Sequence, residues 1–357
     1  MLDVESPKKL ERVLSRYPLG RLRDAQRPQH GFVNDNWIVD TTGGRFFLKH
    51  RHPMLSNPSF VRAQHSLTTW LRSGGFPAPE LIRTLDGDTL CIVDSGCYEI
   101  QEYIVGADYD HGRTAHLEEA ARTLAQYHRA VGVFAPVELC RSGDSYTPQH
   151  ISENLAHLVR TWKATTDAES EDSVAGIEAQ VEDLAARFQG HRGLPGLVIH
   201  GDYYADNLIF DGDHIVGVVD YDKARWQART VELAEALIYF ACPRPGQLQH
   251  LVYPGYPEWS LLTLFLQAYC GIVPLVDAES RAIPDYMRCI WLQMSLWRLR
   301  DQAERSPEAG EALDEVLALA RWAQDHRQAL TEACTSASRP YRYRSGARRE
   351  RHRAPLP

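Results

Sequence analysis

Residues 198 to 220, VIHGDYYADNLIFDGDHIVGVVD, place a β-hairpin inside a part of the chain that otherwise reads as helix. An apolar strand, a tight acidic turn and a second apolar strand follow one another there. The loop ahead of the hairpin reads His200-x-Asp202-x-x-x-x-Asn207, and Asp220 closes the segment. Three oxygen-bearing residues on the two sides of one hairpin are far more specific than any one of them alone.

The surroundings predict two kinds of structure in sequence. Asn36–Asp40 and Arg45–Lys49 flank the turn Thr41-Thr42-Gly43-Gly44, a hairpin signal. A helix is expected over Phe60–Ser73, closed by Gly74-Gly75, with short strands at Thr89–Asp94 and Tyr98–Ile104. A strand-rich lobe of about five strands, these four among them, with one helix is expected up to Gly106. Beyond Gly106 the apolar period becomes helical, and Leu117, Ala121, Leu124, Ala125, His128 and Val131 share one face. Longer helices are expected at 150–165, 173–188, 229–242, 257–271, 284–304 and 308–330. The expected fold class is α+β, with a small β-rich lobe over residues 1–105 and a larger, mainly helical lobe over 106–337.

The bulk numbers exclude several function classes. At 357 residues, 44% apolar and 24% charged, the composition is ordinary for a globular chain of about two domains. No apolar run reaches the roughly 18 to 20 residues of a membrane span. The best candidate, Leu261–Val276, is broken by Gln267, Gly271 and Pro274. The opening MLDVESPKKLERVL lacks the apolar core of a signal peptide, so a cytoplasmic protein is expected. Seven scattered cysteines with no C-x-x-C pair argue against a disulfide framework or a zinc site. The net charge of −8 is uneven: residues 338–357 carry +6, leaving −14 on residues 1–337. An acidic body argues against a nucleic-acid partner and suits a cationic substrate. The tail SRPYRYRSGARRERHRAPLP, rich in Arg with Pro and Gly, is expected to be disordered.

Transferring a phosphoryl group to a hydroxyl needs in-line positioning, cations on the phosphate oxygens and one group to take the proton. Asp202, just past the strand Leu197–Ile199, suits the last task. The Asn207 carbonyl and the Asp220 carboxylate form a ligand set typical of Mg²⁺. An Asp followed five residues later by an Asn, in a loop leading to a hairpin, is the layout of a kinase catalytic loop. The segment HGDYYADNLIF…GVVDYD resembles the aminoglycoside phosphotransferase and choline kinase superfamily, small-molecule kinases with a two-lobed, protein-kinase-like fold. The resemblance runs from about residue 30 to about 330 and is specific only around 198–222. It implies ATP and Mg²⁺ as cofactors, Asp202 as the catalytic base, and Asn207 and Asp220 as the metal ligands. Where the family often has Asp-Leu-Ala, this chain has Glu232-Leu233-Ala234.

The same resemblance makes Lys49 the lysine that contacts the α- and β-phosphates. It makes Gly31–Val39 the loop over the phosphates, with Asn34 and Asn36 as side-chain donors, and Tyr98–Gly106 an adenine-binding hinge. Backbone groups of Glu102 and Ile104 would then meet the adenine edge. The helix Glu that pairs with such a lysine falls on Gln64, which can hydrogen-bond an ammonium but adds no charge. Asp222 reads as a metal or substrate contact or as a solvated side chain, and His128 as a core histidine.

Acids on the later helices (Glu232, Glu235, Asp285, Asp301, Glu304) favour an amino-bearing acceptor, with Asp222 and Glu232 as candidate substrate contacts; solvated helix faces are the competing reading. The chain is therefore expected to be an ATP-dependent O-phosphotransferase acting on a hydroxyl of a small molecule, an aminoglycoside-type antibiotic or an amino-bearing metabolite. The alternatives are a homoserine-, choline- or sugar-type metabolic kinase, and a non-catalytic nucleotide-binding module, which Gln64 would suit. No A-P-E-like segment follows Asp220, which argues against protein substrates.

Overall fold

The computed structural model describes residues 7–28, 34–134, 138–139, 146–162, 168–242, 256–303 and 310–350. The chain divides into two compact units. The first comprises Met1–Asp110, Arg129–Ser142 and His200–Trp226; the second comprises His111–His128, Gly143–Ile199 and Gln227–Pro357. The hairpin segment, expected in the helical lobe, belongs to the first unit. Bonding explains this. Ala107 and Phe210 exchange both backbone hydrogen bonds at 2.8 Å, and the Val218 amide donates to the Pro77 carbonyl at 2.7 Å.

The first unit contains α1 (Pro7–Leu14), β1 (Leu22–Gln26), β2 (Asp35–Thr41), β3 (Gly44–His50), α2 (Pro58–Ser73), β4 (Leu81–Ile82), β5 (Cys91–Val93) and β6 (Gly96–Glu102). The strands form one antiparallel sheet in the order β1-β2-β3-β6-β4, with β5 also on β6. Alternation along each strand gives the sheet two unlike faces. One buries Trp37, Val39, Leu48, Tyr98 and Ile100 with Leu10, Val13 and Leu14 of α1. The other carries a cross-strand row of Asn36, Lys49 and Glu99, with Gln101 beside it. Helix α2 starts where Asn57 accepts the Ser59 and Phe60 amides and Pro58 takes the first helical position. It buries Gln64, His65 and Thr68 among Val61, Leu67 and Leu71.

The expected hairpin Asn36–Asp40/Arg45–Lys49 and helix Phe60–Ser73 are present, but the sheet has six strands and the unit a second helix. α1 escapes a periodicity reading because its eight residues include four charged ones. β1 escapes because LRDAQ is an edge strand with no apolar alternation.

Gly106 has a packing reason. A Cβ there would stand 2.4 Å from Ile209 Cγ2 and 2.6 Å from the Phe210 carbonyl oxygen. Its lack of a side chain serves the close approach of the 103–107 segment to the hairpin. Gly106→Ala is expected to cost about 1–3 kcal/mol through overpacking, read as a lowered urea midpoint.

After α3 (Thr114–Val131) come α4 (Pro148–Trp162), α5 (Ala168–Phe188), β7 (Gly196–Ile199), β8 (Leu208–Asp211), β9 (His214–Val218), β10 (Arg225–Ala228), α6 (Arg229–Ala241), α7 (Trp259–Cys270), α8 (Asp277–Ala303), α9 (Gly310–Asp325) and α10 (Arg327–Glu350). All six residues expected on one face of α3 are buried. In the second unit α8 packs against α4, α6, α9 and α10. It begins well before the expected residue 284, because Glu279 reaches back to accept the Val276 amide at 2.9 Å and caps the extra turns ahead of Pro284.

The tail departs from expectation. Residues 338–350, expected to be disordered, continue α10 as helix. Ser338 is buried, and its hydroxyl accepts the Leu275 amide at 3.1 Å and donates to the Cys334 carbonyl at 3.2 Å. That local anchoring outweighs the composition signal; residues 351–357 lie outside the described residues. Among the described residues no helix is long and apolar enough to cross a membrane.

Candidate active site

Lys49, Asp202, Asn207, Asp220 and the side chains bonded to them all lie in the first unit. Asp202 sits in the loop between β7 and the hairpin β8–β9. Gly201 beside it has φ +78°, and a Cβ there would be 2.3 Å from the Lys223 carbonyl oxygen, so the position requires glycine. His200 is fully buried. Its Nε2–H donates to the Val219 carbonyl at 3.1 Å, and its Nδ1 accepts the Asp202 amide at 3.3 Å, which fixes the tautomer and ties the loop to the end of β9. Asn207 donates its side-chain nitrogen to the Asp202 carbonyl at 2.8 Å, so the amide oxygen is the end that can ligate a cation. The pairing Leu208↔Val218 is extended by the Val219 amide donating to the Asn207 carbonyl at 3.0 Å. Asn207 and Asp220 therefore leave the hairpin at the same end. Asp220 takes φ 66°, ψ 69°, a left-handed conformation that Asp tolerates better than most residues.

The Asp202 carboxylate accepts from Lys223 Nζ at 2.7 Å. Asp220 meets a different cation: Lys49 Nζ donates to Asp220 Oδ1 at 2.9 Å and to Asp222 Oδ1 at 3.0 Å. Asp222 also receives Arg51 Nη2 at 3.1 Å on Oδ1, Asn34 Nδ2 on Oδ2, and Gln64 Nε2 at 2.6 Å on its backbone carbonyl. Arg51 donates Nε to Glu99 Oε2 at 2.6 Å and Nη1 to Gln64 Oε1 at 2.9 Å. Glu99 further accepts His65 Nε2–H at 2.8 Å and Gln101 Nε2 at 2.8 Å.

The charges set one another's state. Burial pushes the Asp220 carboxyl up, but the adjacent Lys49 ammonium, together with weaker pulls from other nearby cations, makes the net shift downward. Burial raises Asp222, and the neighbouring Asp220 charge adds to this against the pull of Lys49 and Arg51. Burial lowers the Lys49 ammonium, yet Asp220 and Asp222 together hold it above its ordinary value, so it stays protonated. Glu99 is pushed up by burial but held well below the usual carboxylate range by Arg51 and His65.

Several expectations change. Asp222 is no substrate contact: it is buried, and both of its oxygens are engaged inside the protein. Glu232 is buried in the second unit, where it accepts His128 Nε2–H at 2.8 Å while Tyr269 donates its hydroxyl to His128 Nδ1 at 2.6 Å. Both histidine nitrogens are thus satisfied, and the substrate reading of Glu232 falls. Glu235 accepts the Tyr146 hydroxyl, and Asp285 pairs with Arg327 and His191, so these acids are not solvated faces either. The side chains of Asp301 and Glu304 lie outside the described residues. Glu102 donates its amide to the Glu80 carbonyl at 2.9 Å, and its carboxylate binds Arg72, which removes its amide from an adenine contact. Ile104 lies against Gly217 of β9. Asn36 is buried opposite Lys49, and its Oδ1 has no hydrogen-bond partner among the described residues. Gly31–Val33, the start of the expected phosphate loop, lie outside the described residues.

Gln64 is buried on α2, where it binds Arg51 and the Asp222 backbone, while two acids hold Lys49. Arg51, Glu99 and His65 had no expected role. The available signal was polar residues at period two in and just past apolar strands, Lys49-x-Arg51 and Glu99-x-Gln101. Chemically, the hairpin end offers an amide oxygen and a part-exposed carboxylate, hard ligands that fit a divalent cation such as Mg²⁺. Beside them stand a carboxylate able to take a proton and an ammonium able to meet phosphate oxygens.

The model of the phosphotransferase enzyme family matches residues 24–262. The homoserine kinase of Methylobacillus flagellatus is 28% identical over 309 residues, 85% of this chain and 86% of its own. That of Pseudomonas aeruginosa is 26% identical over 294 residues, 81% and 85% of the two chains. Among solved structures, an amicoumacin kinase in complex with AMP-PNP and Ca²⁺ has a TM-score of 0.66 at 13% identity, covering 91% of this chain and 94% of its own. An aminoglycoside phosphotransferase from Alicyclobacillus acidocaldarius has a TM-score of 0.61 at 16% identity, covering 95% and 98%. The fold is thus the kinase-like one of these proteins, an antiparallel-sheet unit and a larger helical one. With well over half of its length matched, the chain belongs to the phosphotransferase enzyme family and is a small-molecule phosphotransferase with a hydroxyl acceptor.

Proposed function

We propose that the chain transfers the γ-phosphoryl group of ATP to the side-chain hydroxyl of homoserine or a close amino-bearing analogue. The reaction type rests on Asp202, Asn207 and Asp220 at one end of the β8–β9 hairpin with Lys49 bonded to Asp220. The acceptor rests on similarity to homoserine kinases along most of both chains. Asp202 accepts the hydroxyl proton as the new O–P bond forms. Asn207 and Asp220 would hold Mg²⁺, which when bound neutralises charge on the phosphates. Lys49 serves the α- and β-phosphates, with Asn36 beside it as a second polar contact on the same face of the sheet. Ile104, in the segment after β6, is assigned to the adenine edge. The non-catalytic reading loses its support, since a Lys49 paired to two carboxylates needs no acid at position 64.

With Mg²⁺ and ATP, ADP release is expected to be at least about tenfold faster with L-homoserine than with ethanolamine, choline or an aminoglycoside, the discrimination that a few well-placed polar contacts supply. Equal or higher rates with one of the others would sink the homoserine assignment.

A further inference from the structure

We infer that Asp222 is the positioning residue for Lys49, replacing the helix-borne acid whose place Gln64 occupies. This rests on the proposed roles of Lys49 at the phosphates and Asp220 at the metal. Of the two carboxylates on Lys49, Asp220 has a side chain 35% exposed and stands at the end of the hairpin with Asn207, whereas Asp222 is 6% exposed. A divalent cation on Asp220 competes with the ammonium for that carboxylate and repels it. Asp222 is then the counter-ion that remains. Its geometry suits a permanent one: Arg51 shares Oδ1, Asn34 holds Oδ2, and Gln64 holds the backbone carbonyl. An ammonium has three donors, so one bond to Asp222 leaves others to turn toward phosphate oxygens.

The same arrangement accounts for a glutamine at position 64. Before a divalent cation binds, Lys49 and Arg51 face the charges of Asp220, Asp222 and Glu99, a net of −1. A glutamate at 64, within reach of Arg51, would add a second uncompensated negative charge. A neutral amide bonds both Arg51 and the Asp222 backbone without it. The acid has in effect moved from the helix to the turn after Asp220, and Gln64 keeps the helix in contact with that turn.

The test is a double-mutant cycle on positions 64 and 222, reading kcat and the KM for ATP and for the acceptor with full-length protein and Mg²⁺. Asp222→Asn is expected to lower kcat/KM for ATP by about 10- to 100-fold while leaving the acceptor KM within about twofold. Gln64→Glu alone is expected to lower it too, by returning excess negative charge. Combined, the two changes restore at least about tenfold of what Asp222→Asn loses, because one carboxylate again faces Lys49 and Arg51. A structural role alone would make the two losses add. Should Asp222→Asn fail to fold, Asn34→Ser loosens Asp222 without removing its charge and is expected to raise the ATP KM about threefold or more. The inference is overturned if Asp222→Asn, or Asn34→Ser in its place, leaves the ATP KM unchanged, or if the double variant is no better than Asp222→Asn. Failure of the parent reading looks different: wild-type protein then releases no ADP with any acceptor.

Discussion

Asp202→Asn is expected to lower kcat by about 10²- to 10⁴-fold, the range a positioned general base contributes, with little effect on folding. Few changes at a site separate function from stability so cleanly, and the reason is which atoms hold the loop. Asn207 bonds the Asp202 carbonyl and His200 accepts the Asp202 amide, so the loop is fixed through backbone atoms that an Asn retains. The carboxylate itself has the partly exposed Lys223 as its cation, a pair worth about 1 kcal/mol at most. The urea midpoint should therefore stay close to wild type, and thermal stabilisation by ATP and Mg²⁺ should persist. ADP release with the acceptor present measures the effect. Turnover near the wild-type rate would remove Asp202 as the base. An equal loss in kcat and in ATP-induced stabilisation would mean the loop had moved.

The hairpin was legible because its chemistry is local. Asp202, Asn207 and Asp220 lie within 19 residues, and strand pairing alone brings the two ends together. Lys49 was legible as a strand-end cation in a resembling context, but its partners were not. Asp222 reads like any acid in a turn until β3 is seen to present Lys49 and α2 to present Gln64 to it, contacts that span 173 and 158 residues. Glu232 misled for a related reason. An acid at the first turn of a helix looks solvated or substrate-facing, and only the burial of His128 and Tyr269 around it shows a closed polar network. Helix lengths differ from expectation where polar side chains bond the backbone: Glu279 capping the first turn of its own helix α8, and Ser338 of α10 bonding the distant Leu275 amide. Periodicity reports which face is apolar; it is blind to a polar group whose partner lies far along the chain.

Arg51→Met should be the most destabilising single change at this site, costing about 3–5 kcal/mol, the range for breaking a buried ion pair and leaving its partner's charge behind. Methionine keeps much of the volume, so the loss is electrostatic. Glu99, Asp222 and Gln64 each lose a bond that is now 2.6 to 3.1 Å long. Lys223→Met, removing an ion pair from a side chain 52% exposed, should cost less than about 1 kcal/mol and serves as the control. The pH dependence gives the cause its own signature. In the wild type, Glu99 is held below its ordinary 4.5 by Arg51 and His65 against the opposing push of burial. A carboxyl depressed in this way adds stability that is fully present above 4.5 and lost as pH falls through its folded value. Between pH 7 and pH 5 it contributes a constant amount. Without Arg51, burial is opposed by less charge, so Glu99 rises, and Asp222, already raised, rises further. Once above the ordinary value, each costs stability when ionised, and that cost shrinks as pH falls through the folded value toward the ordinary one. The urea midpoint of Arg51→Met should therefore climb more from pH 7 to pH 5 than that of the wild type, in which Asp222 is raised but Glu99 is held down. A loss below 1 kcal/mol, or parallel pH profiles for the two proteins, would show that Arg51 fills space and leaves the charges around it unchanged.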